Sequence, residues 1–426
     1  MQKIIDSVTL QKREIETTLQ KRYIQRDLRL VDLDKPIIKA ILGPRRAGKS
    51  FFAAHEASRL GPFAYLNFDD EILSRVGDNE LLIESARQVY GKPLVWVLDE
   101  VQNLADWELF VNRLHRRGFN LIVTGSNSKL LGRDLATHLT GRILSSVVFP
   151  FSFAEFLRLR GGTTTAERSA ALVEYSRSGG FPEPLVNGLE PKPYLVSLFD
   201  GVLFKDIILR RRPKYPQALQ DLAMILLANI GNPATTLRLA RLSTLKSPIT
   251  AGKYFSYLEE AFLFFAVPAF SWKVGEQVRA PKKIYVIDNG FHTAKAFSPS
   301  PNTGRLYENM VAVHLYRQAL NGNIGLRHYK NPRGLEVDFV VLRGSRPVQL
   351  IQVCGDASDE RTNQREIRAL LQASVELKCS ELLILTENKD GEEDVEWFGR
   401  KGRIRYKPLW QWLSEGEWTP TTKSRG

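Results

Sequence analysis

The segment ILGPRRAGKS, residues 41–50, has the residue types and the spacing that bind phosphate groups. Residues 43–50 match the pattern G-x-x-x-x-G-K-[ST], in which backbone N–H groups close around phosphate oxygens at the positive end of a helix. The lysine of this pattern reaches the β- and γ-phosphates of a nucleotide, and the hydroxyl group binds Mg²⁺. The predicted ligands of ATP and Mg²⁺ are Gly43, Pro44, Arg45, Arg46, Ala47, Gly48, Lys49 and Ser50.

The context of this segment separates a phosphate cradle from an ordinary glycine turn. The apolar run IIKAIL precedes it as a strand, and SFFAAHEASRL follows it as a helix that we expect to end at Gly61. Both neighbours are those that the pattern requires. The sequence leaves two roles for Arg45 and Arg46: contact with the phosphates or contact with another subunit.

An acidic pair, Asp99 and Glu100, ends the apolar run LVWVLDE. Asp99 is placed to hold Mg²⁺ through water, and Glu100 to polarise the water that attacks the γ-phosphate. The alternative is a helix N-cap, because VQNLADW follows the pair. A glutamate directly after the aspartate favours an ATPase that hydrolyses over a kinase.

Two later residues are further catalytic candidates. Ser126 ends the next apolar run, NLIVTGS, where it could sense the γ-phosphate or position water; a turn and helix N-cap before KLLG is the alternative. Arg142 precedes another strand in LTGRIL, where it could reach the γ-phosphate bound to a neighbouring subunit. A surface arginine beside a turn glycine is the alternative for Arg142.

The elements that would position these residues follow an alternating pattern. Short apolar runs bounded by Gly, Asp or Asn alternate with amphipathic stretches, namely IIKAIL, FAYLNF, LVWVLDE, NLIVTGS and LSSVVF. This pattern predicts a parallel sheet covered by helices. A helical tract over about 165–230 follows, then helix, turn, helix and strand up to about 268, and after residue 305 an α-β-β-β-α-β order.

Length and composition limit the class of protein. A chain of 426 residues is expected to form two or three domains. We predict a helical lead-in over 1–30, an ATPase core over 31–195, a basic helical domain over 196–285 and a second α/β domain over 286–426. Cys354 and Cys379 form no metal-binding motif, the N-terminus has no signal-peptide pattern, and AFLFFAVPAF spans about half a membrane. These features favour a cytoplasmic protein without a membrane partner.

The positive charge is concentrated in the middle of the chain. The formal net charge is +13, and residues 201–285, with thirteen basic and five acidic side chains, carry +8 of it. This segment includes a helix-turn-helix candidate, so contact with DNA phosphates competes with the alternative of a solvated basic face. The candidate DNA-binding residues are Arg210, Arg211, Arg212, Arg238, Arg241, Lys246 and Lys253.

The ordered motifs resemble a large group of bacterial and archaeal AAA-type ATPases. The similarity runs through ILGPRRAGKS, LDEVQNLADWE, LIVTGSNSKLL, LTGRI and FPFSFAEFL, and continues with LFKDIILR, KIYVIDNGF, GRLYENMVAVHL and YKNPRGLEVDFVV. The resemblance implies an AAA-type core, a winged-helix-like middle domain and a C-terminal fold similar to restriction endonucleases. It also implies that Arg142 is a finger acting on the neighbouring subunit's nucleotide and that Ser126 is the sensor.

The C-terminal part departs from the endonuclease pattern of a helix Glu, a strand Asp and then E-x-K. Glu308 and Asp338 fit the first two positions, but Gln352 and Cys354 stand where Glu and Lys are expected. Glutamine lacks the charge that binds Mg²⁺, and cysteine cannot replace an ammonium group. No nuclease activity is therefore expected from this domain.

Two hypotheses for function follow from these observations. The first is an oligomeric ATP-driven motor or remodeller of translocase or branch-migration type, in which a ring such as a hexamer acts on duplex or branched DNA. The alternative is an ATP-dependent assembly switch whose C-terminal domain binds a protein partner.

Overall fold

The computed structural model describes residues 1–126, 141–296, 303–322, 324–355 and 360–415. The chain divides into two compact units. The first contains Met1–Pro150 with Glu260–Phe262, and the second contains Phe151–Glu259 with Leu263–Gly426.

The first unit is built on a parallel five-stranded sheet with the order β2-β3-β4-β1-β5. Its strands are β1 Ile38–Leu42, β2 Phe63–Asn67, β3 Val95–Asp99, β4 Leu121–Gly125 and β5 Ile143–Val147. All residues of β1, β3 and β4 are buried, as expected for apolar strands at the centre of a parallel sheet. The predicted parallel sheet is confirmed.

Four described helices accompany this sheet. They are α1 Gln2–Leu19, α2 Lys49–Ser58, α3 Asn79–Tyr90 and α4 Trp107–Arg116. The α1 helix packs on β2, where the amide of Gln11 donates to the backbone oxygen of Asn67 (3.2 Å) and accepts from its N–H (2.8 Å). The segment interpreted as a lead-in is therefore part of this unit. The α2 helix ends three residues before the predicted Gly61, because i→i+3 bonds close its last turn (Gly61 N to Ser58 O, 3.3 Å).

The second unit begins with helices, as predicted. They are α5 Phe153–Arg160, α6 Thr165–Ser178, α7 Pro182–Asn187, α8 Pro191–Gly201, the π-helical segment Val202–Leu209 and α9 Pro216–Ala228. Capping boxes at Ser152/Glu155 and Thr164/Glu167 fix the starts of α5 and α6.

A small antiparallel sheet with the order β6-β8-β7 follows. Its elements, with the helices around it, are β6 Pro233–Ala234, α10 Thr236–Leu242, α11 Pro248–Glu260, β7 Phe264–Val267, α12 Val274–Arg279, β8 Lys282–Val286 and α13 Asn289–Lys295. The predicted order of helix, turn, helix and strand is confirmed.

The C-terminal part is a six-stranded mixed sheet with the order β13-β14-β12-β11-β10-β9. Its elements are α14 Thr303–Leu320, β9 Gly325–Lys330, β10 Glu336–Arg343, β11 Arg346–Cys354, α15 Glu360–Leu377, β12 Leu382–Thr386, β13 Gly391–Trp397, β14 Arg400–Pro408 and α16 Leu409–Ser414. The predicted α-β-β-β-α-β order is confirmed, and β13, β14 and α16 are additions to it.

The domain limits at 195/196 and 285/286 stay a prediction, and the boundary between the two compact units lies after residue 150. The helices after residue 150 lie in the second unit because the buried carboxylate of Asp288 accepts hydrogen bonds from the N–H groups of Gly180 (2.7 Å) and Gly290 (2.8 Å). Asn289 also donates to the backbone oxygen of Ser176 (3.2 Å). Such long-range bonds have no signature in local sequence.

Candidate nucleotide-binding site

The loop of residues 43–48 joins β1 to α2, and its backbone requires glycine at both ends. Gly43 has a φ of +145°, and a Cβ atom there would lie 2.0 Å from the backbone oxygen of Val148. Gly48 has a φ of +90° and stands directly before α2. The loop is thus shaped so that backbone N–H groups at the start of a helix can surround an anion.

Lys49 is 4% exposed, and its ammonium group contacts the backbone of this loop. The group donates to the backbone oxygen of Pro44 (3.1 Å) and lies 3.4 Å from a carboxylate oxygen of Glu100. The structure therefore brings the predicted phosphate-binding lysine to the predicted catalytic acid, which lies 51 positions away in the sequence.

Asp99 is 1% exposed at the end of β3. Its carboxylate accepts hydrogen bonds from the hydroxyl groups of Thr124 (2.5 Å) and Tyr65 (2.6 Å), and from Ser50. Burial, and after it the charge of Glu100, raises the pKa of Asp99. The predicted metal-binding residues Ser50 and Asp99 are thus in contact, and a hydroxyl with one carboxylate fits a Mg²⁺ ion that is shared with phosphates.

Glu100 follows β3 in a left-handed conformation, with a φ of +49°. Its N–H group donates to Thr124 Oγ1 (2.9 Å), and its carboxylate accepts from Gln102 (2.5 Å) and Ser126. Burial opposes ionisation, but the charge of Lys49 and these hydrogen bonds outweigh it and lower the pKa of Glu100. The side chain makes no helix-capping bond, so the alternative of an N-cap is not observed.

Thr124 and Tyr65 are members of this cluster that sequence reasoning missed. Thr124 connects the acidic pair, because its hydroxyl donates to Asp99 and accepts from the backbone of Glu100. The signal for Thr124 is its place near the end of NLIVTGS. Because β4 lies between β1 and β3, a polar residue at its carboxyl end lies between the phosphate loop and the acidic pair. No comparable local signal marks Tyr65.

The chain before β1 also contacts the loop. Arg26 is buried and donates to the backbone oxygens of Ala47 (3.5 Å) and Phe149. The rings of Tyr23 and of His55, which lies in the last turn of α2, stack with centroids 3.9 Å apart. These contacts were missed because residues 1–30 were interpreted as a lead-in.

Arg142 lies at the other end of the sheet. Parallel pairing sets Ile38 beside Ile143 and Leu42 beside Val147, so Arg142 stands at the start of β5 and the loop follows the end of β1. At about 3.3 Å per residue, four residues separate the two levels by roughly 13 Å. The guanidinium group is exposed and donates to Asn112 (3.1 Å).

The chain is similar to several known proteins and protein families. A family model described as an AAA domain matches residues 35–157. Models of two domains of unknown function, DUF8612 and DUF4143, match residues 169–299 and 303–400. An uncharacterized protein of Methanocaldococcus jannaschii is 31% identical over 418 residues, which cover 93% of this chain and 92% of that protein.

The chain belongs to this family of AAA-domain proteins. An uncharacterized protein of Haemophilus influenzae is 29% identical over 354 residues, which are 78% of this chain and 86% of that protein. Among solved structures, a replication initiator DnaA bound to AMPPCP and single-stranded DNA matches with 17% identity and a TM-score of 0.23. That match covers 59% of this chain and 88% of the DnaA chain.

In this AAA-domain protein the DUF8612 region carries the basic residues singled out from the sequence. Six of the seven are exposed and Arg211 is half-buried. Arg238 and Arg241 lie on α10, and Lys253 lies on α11. Arg211 and Lys253 both lie over the ring of Tyr257, at 5.6 and 5.9 Å from its centroid, so the run 210–212 meets α11.

The DUF4143 region brings together the residues compared with the endonuclease pattern. The side-chain oxygen of Gln352 accepts from the N–H of Asp338 (2.6 Å), and Cys354 is buried. Glu308 and Asp338 both contact Lys283, a residue that sequence reasoning did not single out for this site. In the described parts of the chain no group of three His, Cys, Asp or Glu side chains is arranged to hold a metal ion, and no helix there is long and apolar enough to cross a membrane.

Proposed function

We propose that this protein binds and hydrolyses ATP and works as an oligomeric motor or remodeller on DNA. The observation that carries the ATPase proposal is the cluster of side chains that follows the loop of residues 43–48 at the carboxyl ends of β1 and β3. There Lys49 meets Glu100, and Ser50 meets Asp99.

The chemistry assigned to these residues follows from their contacts. Lys49 would leave Glu100 for the phosphates of ATP, because a neutral backbone carbonyl and a single carboxylate attract the ammonium group less than a triphosphate does. Glu100 then keeps its hydrogen bonds from Gln102 and Ser126 but loses the positive charge that does most to lower its pKa, so its affinity for a proton rises. An ionised carboxylate beside the γ-phosphate can take the proton of the attacking water. Ser50 and Asp99 would hold Mg²⁺, which supplies neutralisation of the phosphate charge.

The position of Arg142 supports the proposed oligomer. Its place at the opposite end of the sheet from the loop keeps it from reaching the nucleotide of its own subunit. An exposed arginine at that end suits a finger that enters the site of a neighbouring subunit. A closed ring, with a hexamer as the working hypothesis, gives every site such a neighbour.

The DNA-binding proposal rests on the basic DUF8612 region. The order α9-β6-α10-α11-β7-α12-β8, with β8 between β6 and β7 in the sheet, fits a winged helix in which α11 is the recognition helix and α12 is an insertion between the last two strands. The N-terminal half of α11 presents Lys253 and Ile249, which is 85% exposed, whereas its Tyr254 and Leu258 are buried. The exposed half suits the major groove, and the arginines of 210–212 suit the adjacent phosphates.

A restriction-endonuclease-like fold is our proposal for the six-stranded part. Gln352 and Cys354 replace two of the four groups that cutting requires, so we propose that this part holds DNA or mediates assembly without cleavage.

The experiment is the ATPase rate with no DNA and with single-stranded, duplex or branched DNA, at two salt concentrations. Several-fold stimulation that fades at high salt is expected, because phosphate contacts release counterions. An unchanged rate together with no gel shift at low salt would exclude the motor. That result would leave the assembly switch with a protein partner as the function of the same ATPase.

A further inference from the structure

Lys283 lies where three carboxylates converge. It belongs to β8, and its side chain is 3% exposed. Its ammonium nitrogen lies 2.9 Å from a carboxylate oxygen of Glu308 on α14. The same nitrogen lies 2.8 Å from Glu336 and 2.8 Å from Asp338, both on β10.

Each carboxylate is held in place by a second partner. The hydroxyl of Tyr285 donates to Glu308 (2.7 Å), and the N–H of Val353 donates to Asp338 (3.1 Å). The ammonium group of Lys330 lies 3.4 Å from Glu336. The three carboxylates are therefore fixed around one point, and that point is the nitrogen of Lys283.

Three carboxylates that converge on one point form a binding site for a cation. With the lysine in place these side chains form no metal site, but without it their three oxygens would supply part of the donor set of a divalent metal. A lysine ammonium group is a compact charge with three N–H donors, so it can give one hydrogen bond to each carboxylate. It cannot share the centre with a metal ion, because the two charges would lie within bonding distance of the same oxygens.

We propose that the ammonium group of Lys283 takes the place of a divalent cation among Glu308, Glu336 and Asp338. The cluster is then a metal-free clasp that the chain fills with its own side chain. This inference goes beyond the proposed action on ATP and DNA, and it gives the expected lack of cleavage a cause that is independent of Gln352 and Cys354.

The clasp also joins two parts of the second unit. Lys283 belongs to the sheet β6-β8-β7, and its three partners belong to elements of the DUF4143 region. The same two parts meet at His328 of β9, whose N–H donates to Pro268 (3.0 Å) and whose backbone oxygen accepts from Phe270 (2.7 Å). The ammonium group thus does the work of a structural ion at this junction.

The test is thermal unfolding of the full chain without nucleotide, with and without millimolar Mn²⁺. Met is one atom shorter than Lys, so Lys283→Met keeps the packing and frees the centre. This variant should melt lower than wild type, and Mn²⁺ should raise its melting temperature by about 2 °C or more. The matched control is Lys282→Met, an exposed lysine on the same strand, which should behave as wild type.

The double variant Lys283→Met/Asp338→Asn tests whether Mn²⁺ acts at this cluster. Its melting temperature should no longer rise with Mn²⁺. If Lys283→Met does not fold in metal-free buffer, growth and purification with Mn²⁺ should recover folded protein. The proposal is overturned if Lys283→Met neither responds to Mn²⁺ nor is recovered by it. It is also overturned if Mn²⁺ stabilises wild type and Asp338→Asn removes that stabilisation.

Discussion

At the scale of single residues, the ion pair between Lys49 and Glu100 and the shared hydroxyl of Thr124 define the candidate site. The hydroxyl binds the carboxylate of Asp99 and the backbone of Glu100, so the two acids have a fixed relation at the end of one strand. Glu100 follows Asp99 with a left-handed backbone, and its carboxylate lies 3.4 Å from the ammonium group of Lys49. Positive φ in a residue other than glycine is a strain that functional sites often hold.

Glu100→Gln should abolish hydrolysis and leave nucleotide binding intact. Glutamine keeps the size of the side chain but cannot accept the proton of water, and loss of a general base costs about 100-fold or more in rate. Phosphate release and nucleotide affinity measure the two effects separately. The control is Glu71→Gln, an exposed acid in the same unit, and a wild-type rate in Glu100→Gln would remove Glu100 from the mechanism.

Glu308 should make stability depend on pH in a known direction. Burial and then the charge of Asp338 raise the pKa of Glu308 to about 7, so the folded state binds a proton that the unfolded state has released. This stabilisation is fully present below the ordinary pKa of about 4.5 and is lost as the pH rises towards 7. The melting temperature of wild type should therefore fall more between pH 5 and 8 than that of Glu308→Gln. If the melting temperatures of the two proteins change with pH in parallel, Glu308 is not the source of the pH dependence.

The sequence predicts much of this site at residue scale because its motifs are local. Lys49, Ser50, Asp99 and Glu100 are each marked by the strand that precedes them. Thr124 resembles an ordinary strand residue, and its role depends on which strands become neighbours. Lys283 lies 25 and 55 positions from Glu308 and Asp338, so only the folded chain brings them together.

At the scale of elements, the phosphate loop depends on how closely β1 and β5 approach. Gly43 directly follows β1, and it packs against the backbone of Val148, which directly follows β5. Only a residue without a Cβ atom fits at this contact. The loop is therefore positioned by a backbone contact on one side and by the start of α2 on the other.

Gly43→Ala should reduce nucleotide affinity and destabilise the first unit. The new Cβ would lie 2.0 Å from the oxygen of Val148, and alanine rarely adopts a φ of +145°. Such overpacking costs about 1–3 kcal/mol. The control is Gly77→Ala, since a Cβ there meets nothing within 4 Å. Unfolding curves and nucleotide titration should separate the variants, and equal behaviour would refute the close approach.

The face formed by α10 and α11 should carry the salt dependence of DNA binding. Arg241→Ala/Lys253→Ala should weaken binding for all sequences, because each substitution removes a cation that neutralises a DNA phosphate. The slope of log affinity against log salt should fall by about 1 for each phosphate that is no longer neutralised. Lys192→Ala, an exposed lysine on α8, is the control. An unchanged slope would move the DNA contact away from this face.

The strands that the sequence does not predict lie at one edge of the six-stranded sheet. The β13 strand, GEEDVEW, is largely exposed at the edge of its sheet, so it has no apolar alternation to mark it. The β14 strand, RKGRIRYKP, looks like a charge run because its buried Ile404 and Tyr406 are spaced among basic residues. Central strands such as β1 and β12 are buried throughout and consist mostly of apolar residues, and the sequence predicts them.

At the scale of the whole molecule, the chain combines an AAA domain with a larger second unit that carries the basic segment. Relatives from an archaeon and a bacterium match over most of their own lengths, so the combination of the two parts is a property of the family. Our central proposal is that two copies of the chain share each ATP site. Lys49 of one copy and Arg142 of the next would then act on one nucleotide.

Mixing two inactive variants is the direct test of such a shared site. Lys49→Ala and Arg142→Ala should each lose ATP hydrolysis alone, since every site in either oligomer lacks one group. In an equal mixture that exchanges subunits at random, about one contact in four pairs an intact Lys49 with an intact Arg142. We therefore expect about a quarter of the wild-type ATPase rate to return on mixing. A rate equal to the average of the two separate variants would contradict a site shared between subunits.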